Sequence, residues 1–168
     1  MIKLIHYWVG FRFMRQKLIR EWKKVFESDL AHVAYELKDI IDAPAMIILE
    51  GAMGAGKTTF VKSFIDDGET ISPSYALLSE TNSILHADLY RLKNYEELLQ
   101  LELELYLPDK MYFLVEWGKD YYSELARELP NNYQSYLLSI DVNDQSQAEN
   151  ESKRTFGRNF SLYELDEN

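Results

Sequence analysis

The sequence predicts an α/β domain in which helices flank a mixed parallel and antiparallel sheet. Three observations carry this. Short apolar runs, AMIILE at 45–50 and MYFLVE at 111–116, alternate with stretches of helical periodicity. Two strand-like runs, ALLSE (76–80) and SILHAD (83–88), face each other across Thr81–Asn82 and add hairpin character. A glycine-rich turn, GAMGAGKT at 51–58, joins the first apolar run to a helical pattern.

The elements follow in order. Residues 1–17 read as a basic extension, with Met14 an alternative start, and 18–168 read as a single domain. LIREWKKVF (18–26) alternates and predicts a strand. Ser28 is a good N-cap, and Leu30, Val33, Ala34 and Leu37 recur at helical spacing up to Asp42–Pro44. AMIILE is a buried strand, and a helix over 57–65 follows the glycine turn and stops at Asp67–Gly68. ISPSY (71–75) reads as a loop around Pro73, and the hairpin follows it. YEELLQLELELYL (95–107) predicts a helix ending before Pro108. MYFLVE is a second buried strand, KDYYSELAREL (119–129) a helix, and YQSYLLSIDV (133–142) a strand. Polar residues 143–157 predict a mobile loop, and RNFSLYEL (158–165) a last strand.

Composition narrows the function. The net charge is −10, yet residues 1–25 hold seven Lys or Arg against Glu21 alone. The acidic remainder repels phosphate backbones, so broad nucleic-acid binding by the main domain is not expected. Any RNA contact is expected from a partner or from the basic N-terminus. The chain has no cysteine, which excludes disulfides, zinc-thiolate sites and thiol nucleophiles. No run approaches about 20 apolar residues, and no cleavable leader pattern is visible, so a cytoplasmic location with no membrane contact is expected.

GAMGAGKT matches G-x-x-x-x-G-K-[ST], with a buried strand before it and a helix after it. Gly51, Gly54 and Gly56 permit backbone angles that a Cβ resists, so the loop can turn its amides inward on phosphate oxygens. Ala52, Met53 and Ala55 then contribute backbone contacts. The helix that follows aims its positive end at the same anion. Lys57 is expected on the β- and γ-phosphates of ATP and the Thr58 hydroxyl on magnesium. Thr59 is expected nearer the α-phosphate or as a cap. Such a site needs a carboxylate to order the metal's waters or the attacking water. Two residues fit, since Glu116 and Asp88 each end an apolar run and should emerge where the loop lies. Glu116 is read as the magnesium-side carboxylate and Asp88 as the group that orients water or a mobile loop; the reverse assignment stays open.

GAMGAGKTTF, ISPSYALL, HADLYRL and LVEWG, in this order and spacing, resemble the TsaE (YjeE) family over about residues 18–142. The resemblance implies a P-loop ATPase of bacterial tRNA threonylcarbamoyladenosine synthesis. It implies Mg-ATP hydrolysis with the partner proteins TsaB and TsaD, which reach the adenosine beside the anticodon in tRNAs reading ANN codons. By position it implies that Lys57 and Thr58 hold phosphate and metal and that Ser72, Pro73, Ser74 and Tyr75 form a nucleotide-sensitive switch. Asp88 and Glu116 complete the site, and Trp117 contacts the nucleotide or a partner, or simply packs. His86, two residues before Asp88, is expected to be structural, or to orient Asp88. Ser74 stands where the family commonly has Thr, and Ala52–Met53 replaces an acidic–Leu pair. Two other readings remain. A small-molecule kinase needs cationic clamps, and between residues 26 and 150 the chain has only two arginines, Arg91 and Arg127. A nucleotide-dependent binding module would use the Ser72–Tyr75 segment as its switch. A GTPase would need an N-K-x-D motif, which the chain lacks.

Overall fold

The computed structural model describes residues 14–65, 72–75, 77–142 and 157–167. Eight strands form one mixed sheet in the order β1-β8-β7-β2-β6-β5-β4-β3. They are β1 (Met14–Val25), β2 (Ala45–Glu50), β3 (Ser72–Tyr75), β4 (Leu78–Glu80), β5 (Ile84–Asp88), β6 (Tyr112–Glu116), β7 (Gln134–Val142) and β8 (Arg158–Glu167). The inner strands β7, β2, β6 and β5 run parallel. Antiparallel pairs close both flanks: β7–β8 and β8–β1 on one side, β5–β4 and β4–β3 on the other. The expected mixed α/β sheet is what forms.

β2 has a reason to sit in the middle. Every residue of AMIIL is buried, as a strand covered on both faces requires. Ile47 and Leu49 face the layer made by helices α1 (Leu30–Ile40) and α2 (Lys57–Phe64), with Leu37, Phe60 and Phe64. Met46 and Ile48 face the opposite layer, with Leu98, Leu107, Phe113 and Leu125. Phe60 and Phe64 are fully buried, so truncating either to Ala would cost about 3–5 kcal/mol. Their positions fix the axis of α2, and hence where its first residues, Lys57 and Thr58, are presented.

Several local expectations change. β1 begins at Met14, inside the stretch read as an extension, where Met14 to Lys17 pair with Glu167 to Glu164. Ser28 lies within a short 3-10 turn, Glu27–Asp29, and Asp29 closes that turn by accepting the Phe26 amide at 2.9 Å. The 95–107 helix is short: α3 covers Tyr95–Leu99, and Glu102 then takes a left-handed φ of 50° before two 3-10 turns. The 119–129 segment is a 3-10 turn followed by helix α4, Tyr122–Glu128. Ser72–Tyr75, read as a loop, is backbone-paired to β4 as the outermost strand β3. A proline is tolerated there because an edge strand has one unbonded side. The segment read as mobile, 143–157, lies outside the described residues except for Gly157, and Asp67–Gly68 lies outside them as well. Among the described residues no helix is long and apolar enough to cross a membrane.

Candidate functional site

The loop between β2 and α2 emerges at the C-terminal ends of the parallel strands. Its start is tightly seated. A Cβ added at Gly51 would stand 2.6 Å from the Ile140 carbonyl oxygen of β7, so only glycine fits. Its end is a left-handed turn, with Gly56 at φ 107° as the N-cap of α2. Between them Met53 is exposed, Gly54 has open space around it, and Ala55 is buried.

Lys57 is 5% exposed, so its ammonium is largely desolvated. Nζ donates to the carbonyls of Gly51 at 2.8 Å and Ala52 at 3.1 Å. It also lies 3.9 Å from the centroid of the Trp117 ring, close enough for a cation–π contact. Burial lowers the Lys57 pKa below its ordinary value, and the charges of Glu116 and Asp88 act to raise it. Trp117 reaches this position through a left-handed backbone, φ 61°, just past the end of β6. That conformation costs a residue with a Cβ about 1–2 kcal/mol, and packing with Tyr90, ring centroids 5.1 Å apart, helps hold it.

The predicted metal pair comes together. The Thr58 hydroxyl donates to Glu116 Oε2 at 3.0 Å, and Glu116 is 2% exposed. Two hard oxygens on adjoining elements suit magnesium, which takes one or two protein groups and keeps waters and phosphates for the rest. Among the described residues no three His, Asp or Glu side chains converge into an all-protein cage. Asp88 is the register partner of Glu116 across β5 and β6, so the two acids end neighbouring strands together. Asp88 Oδ1 accepts the Tyr90 amide at 3.1 Å.

His86 does not orient Asp88. Its Nε2 lies 3.1 Å from Glu116 Oε1, and its Nδ1 lies 3.2 Å from Ser79 Oγ of β4. The shared strand face was legible, but the diagonal reach to β6 was not. Sequence reasoning also missed Arg158. It stands at the start of β8, and its Nε donates to the Ala55 carbonyl at 3.2 Å, bracing the loop from a point 103 positions away. Arg158, Phe26 and Thr59 line a small cavity of about 60 Å³ on that flank. On the other flank a cleft of about 470 Å³ opens beside Gly51, Ala52 and Trp117, where Lys119 pairs with Glu50. Of the proposed switch, the structure describes the backbone of Ser72–Tyr75, four strands out from β2 on the β6 side.

The chain was compared with known families, sequences and structures. The family described as "Threonylcarbamoyl adenosine biosynthesis protein TsaE" matches residues 25–155. A Nostoc protein (strain PCC 7120) named tRNA threonylcarbamoyladenosine biosynthesis protein TsaE is 31% identical over 151 residues, spanning 80% of this chain and 88% of that one. A protein of the same name from Bacillus subtilis (strain 168) is 30% identical over 116 residues, spanning 64% and 72%. The crystal structure of Bacillus subtilis YdiB is similar over 90% of this chain and 88% of that one, at 20% identity and a TM-score of 0.45.

Proposed function

The chain belongs to the TsaE family, and from that premise we propose that it is an ATP hydrolase serving threonylcarbamoylation of tRNA. Its expected partners are TsaB and TsaD, and its expected target, reached through them, is the adenosine beside the anticodon in tRNAs reading ANN codons. The expected setting is the cytoplasm. The observation that carries the ATPase reading is the Thr58–Glu116 contact at 3.0 Å, one residue from a buried lysine at the mouth of a glycine loop.

Bound Mg-ATP would bring the scissile phosphoanhydride and a cation that neutralises charge building on the phosphates. The chain's own part is positioning and electrostatics. Backbone amides from Gly51 to Thr59 bind phosphate oxygens, and Lys57 Nζ exchanges its carbonyl partners for them. The Thr58 hydroxyl and the Glu116 carboxylate hold the metal and its waters. Asp88, on the neighbouring strand, orients the attacking water through a carboxylate oxygen. Trp117 covers Lys57 and excludes bulk water from its ammonium, which strengthens every charge interaction nearby. The arginine described at the loop, Arg158, has its Nε held by the Ala55 carbonyl, so weak turnover alone and activation by a partner are expected.

The test is phosphate release from ATP with magnesium, with and without TsaB and TsaD. Stimulation by the partners supports the full proposal. Hydrolysis with no binding to either partner removes the pathway role and leaves the ATPase. Consumption of ATP only when a nucleoside or sugar is added replaces the reading with a kinase.

A further inference from the structure

Glu116 is a buried anion, and a buried carboxylate is tolerated only when its oxygens are satisfied. Oε2 accepts from Thr58, while Oε1 faces His86 Nε2 at 3.1 Å. The sheet register explains the reach. His86 is opposite Leu114 on the parallel strand β6, so Glu116 lies two residues further along, on the same face and diagonally across. On its other side His86 is directly opposite Ser79 in the antiparallel β4–β5 pair, and Ser79 Oγ lies 3.2 Å from Nδ1. A carboxylate can only accept. In the neutral ring, therefore, the proton sits on Nε2, and Nδ1 accepts from the Ser79 hydroxyl.

We propose that His86 is a positioning residue for the magnesium site, with Ser79 fixing its tautomer. The ring holds Oε1 so that Oε2 stays aimed at Thr58 and at the metal's waters. Groups that orient a metal-side ligand in this way are worth about 10–100-fold in metal affinity. The inference rests on the proposed magnesium role of Thr58 and Glu116. Without His86, Oε1 would be a buried acceptor lacking its donor, and the carboxylate would rotate to seek another. Oε2 then loses its aim at Thr58 while the glycine loop and Lys57 keep their places.

The experiment uses the full chain and a non-hydrolysable ATP analogue. Magnesium is titrated in, and calorimetry reads the concentration giving half-saturation. His86→Ala is expected to raise that concentration about 10–100-fold, with analogue affinity in EDTA held within about twofold. Glutamine places an amide N–H near the position of Nε2, so His86→Gln is expected to restore most of the loss. Ser79→Ala is expected to weaken the metal constant in the histidine background and to change nothing in the His86→Gln background, because an amide has no tautomer to fix. Should His86→Ala not fold, the Ser79→Ala and His86→Gln pair still decides. An unchanged magnesium constant with only a lower melting temperature makes the role structural and overturns the proposal, as does His86→Gln behaving like His86→Ala. If the wild type itself shows no magnesium-dependent binding, the ATPase reading falls and takes this inference with it.

Discussion

Thr58 Oγ1 and Glu116 Oε2 lie 3.0 Å apart although 58 positions separate them in the chain. The contact joins the first turn of α2 to the last residue of β6, and the sheet register holds both ends. Thr58→Ala and Glu116→Gln should each lower magnesium-dependent phosphate release by about a hundredfold or more. Far-UV circular dichroism should be unchanged, since neither substitution alters packing volume greatly. Turnover near the wild-type rate in both variants would remove the pair from the mechanism.

Burial of Lys57 makes stability depend on pH. Burial sets its folded pKa below the ordinary 10.5, against the pull of Glu116 and Asp88. The unfolded chain then binds more protons between the two pKa values. Stability therefore rises with pH across that window, and the burial cost is fully present below it. Lys57→Met should remove the cost. Its advantage over wild type in urea unfolding should be largest near pH 7 and shrink toward pH 10.5, while nucleotide binding is lost. A variant less stable than wild type at pH 7, with a gap that does not change with pH, would contradict this.

Two loop glycines should respond differently to alanine. At Gly54, φ is 78° with open space around the added methyl, so Gly54→Ala should cost only left-handed strain, about 1–2 kcal/mol. At Gly51 the methyl would meet the Ile140 carbonyl at 2.6 Å. Backbone of β7 must then move, so Gly51→Ala should be the more destabilising in chemical unfolding. The opposite ranking would mean that β7 yields more easily than a bonded central strand should.

Tyr133 ties the irregular 103–110 segment to the body of the domain. Its hydroxyl reaches the carbonyls of Leu107 at 2.9 Å and Lys110 at 2.7 Å, and burial pushes its pKa up to about 12. Tyr133→Phe should cost about 1–2 kcal/mol at neutral pH. A phenol with a raised folded pKa contributes fully below pH 10 and loses its contribution as pH rises toward 12. The wild-type advantage should therefore vanish over that interval. Parallel unfolding curves for the two proteins from pH 9 to 11.5 would refute it.

The glycine loop, the buried strands and the strand-end placement of both acids were legible because each rests on a local pattern. AMIILE and MYFLVE are apolar throughout, and Glu116 and Asp88 terminate their runs. The helix over 95–107 failed because leucines 101, 103 and 105 alternate with glutamates. Leu101 and Leu103 are both buried while Leu105 is exposed, which a single helical face cannot provide. High helix propensity yielded to that burial, and the chain broke at Glu102. Ser72–Tyr75 was misread because Pro73 argues against a strand unless the strand is at an edge. His86 and Arg158 were hidden for another reason. Their partners, Glu116 and Ala55, are set by register and crossover, which no window of sequence contains.

β2 is hydrogen-bonded along both sides, to β6 and to β7, over nearly its whole length. The loop it carries is thus mounted on a strand bonded on both sides, whereas β3 is four residues long and, among the described residues, bonded on one side only. Mechanical compliance grows outward from β2 through β6, β5 and β4. Deuterium uptake should trace the gradient, slowest at Ile47 and Ile48.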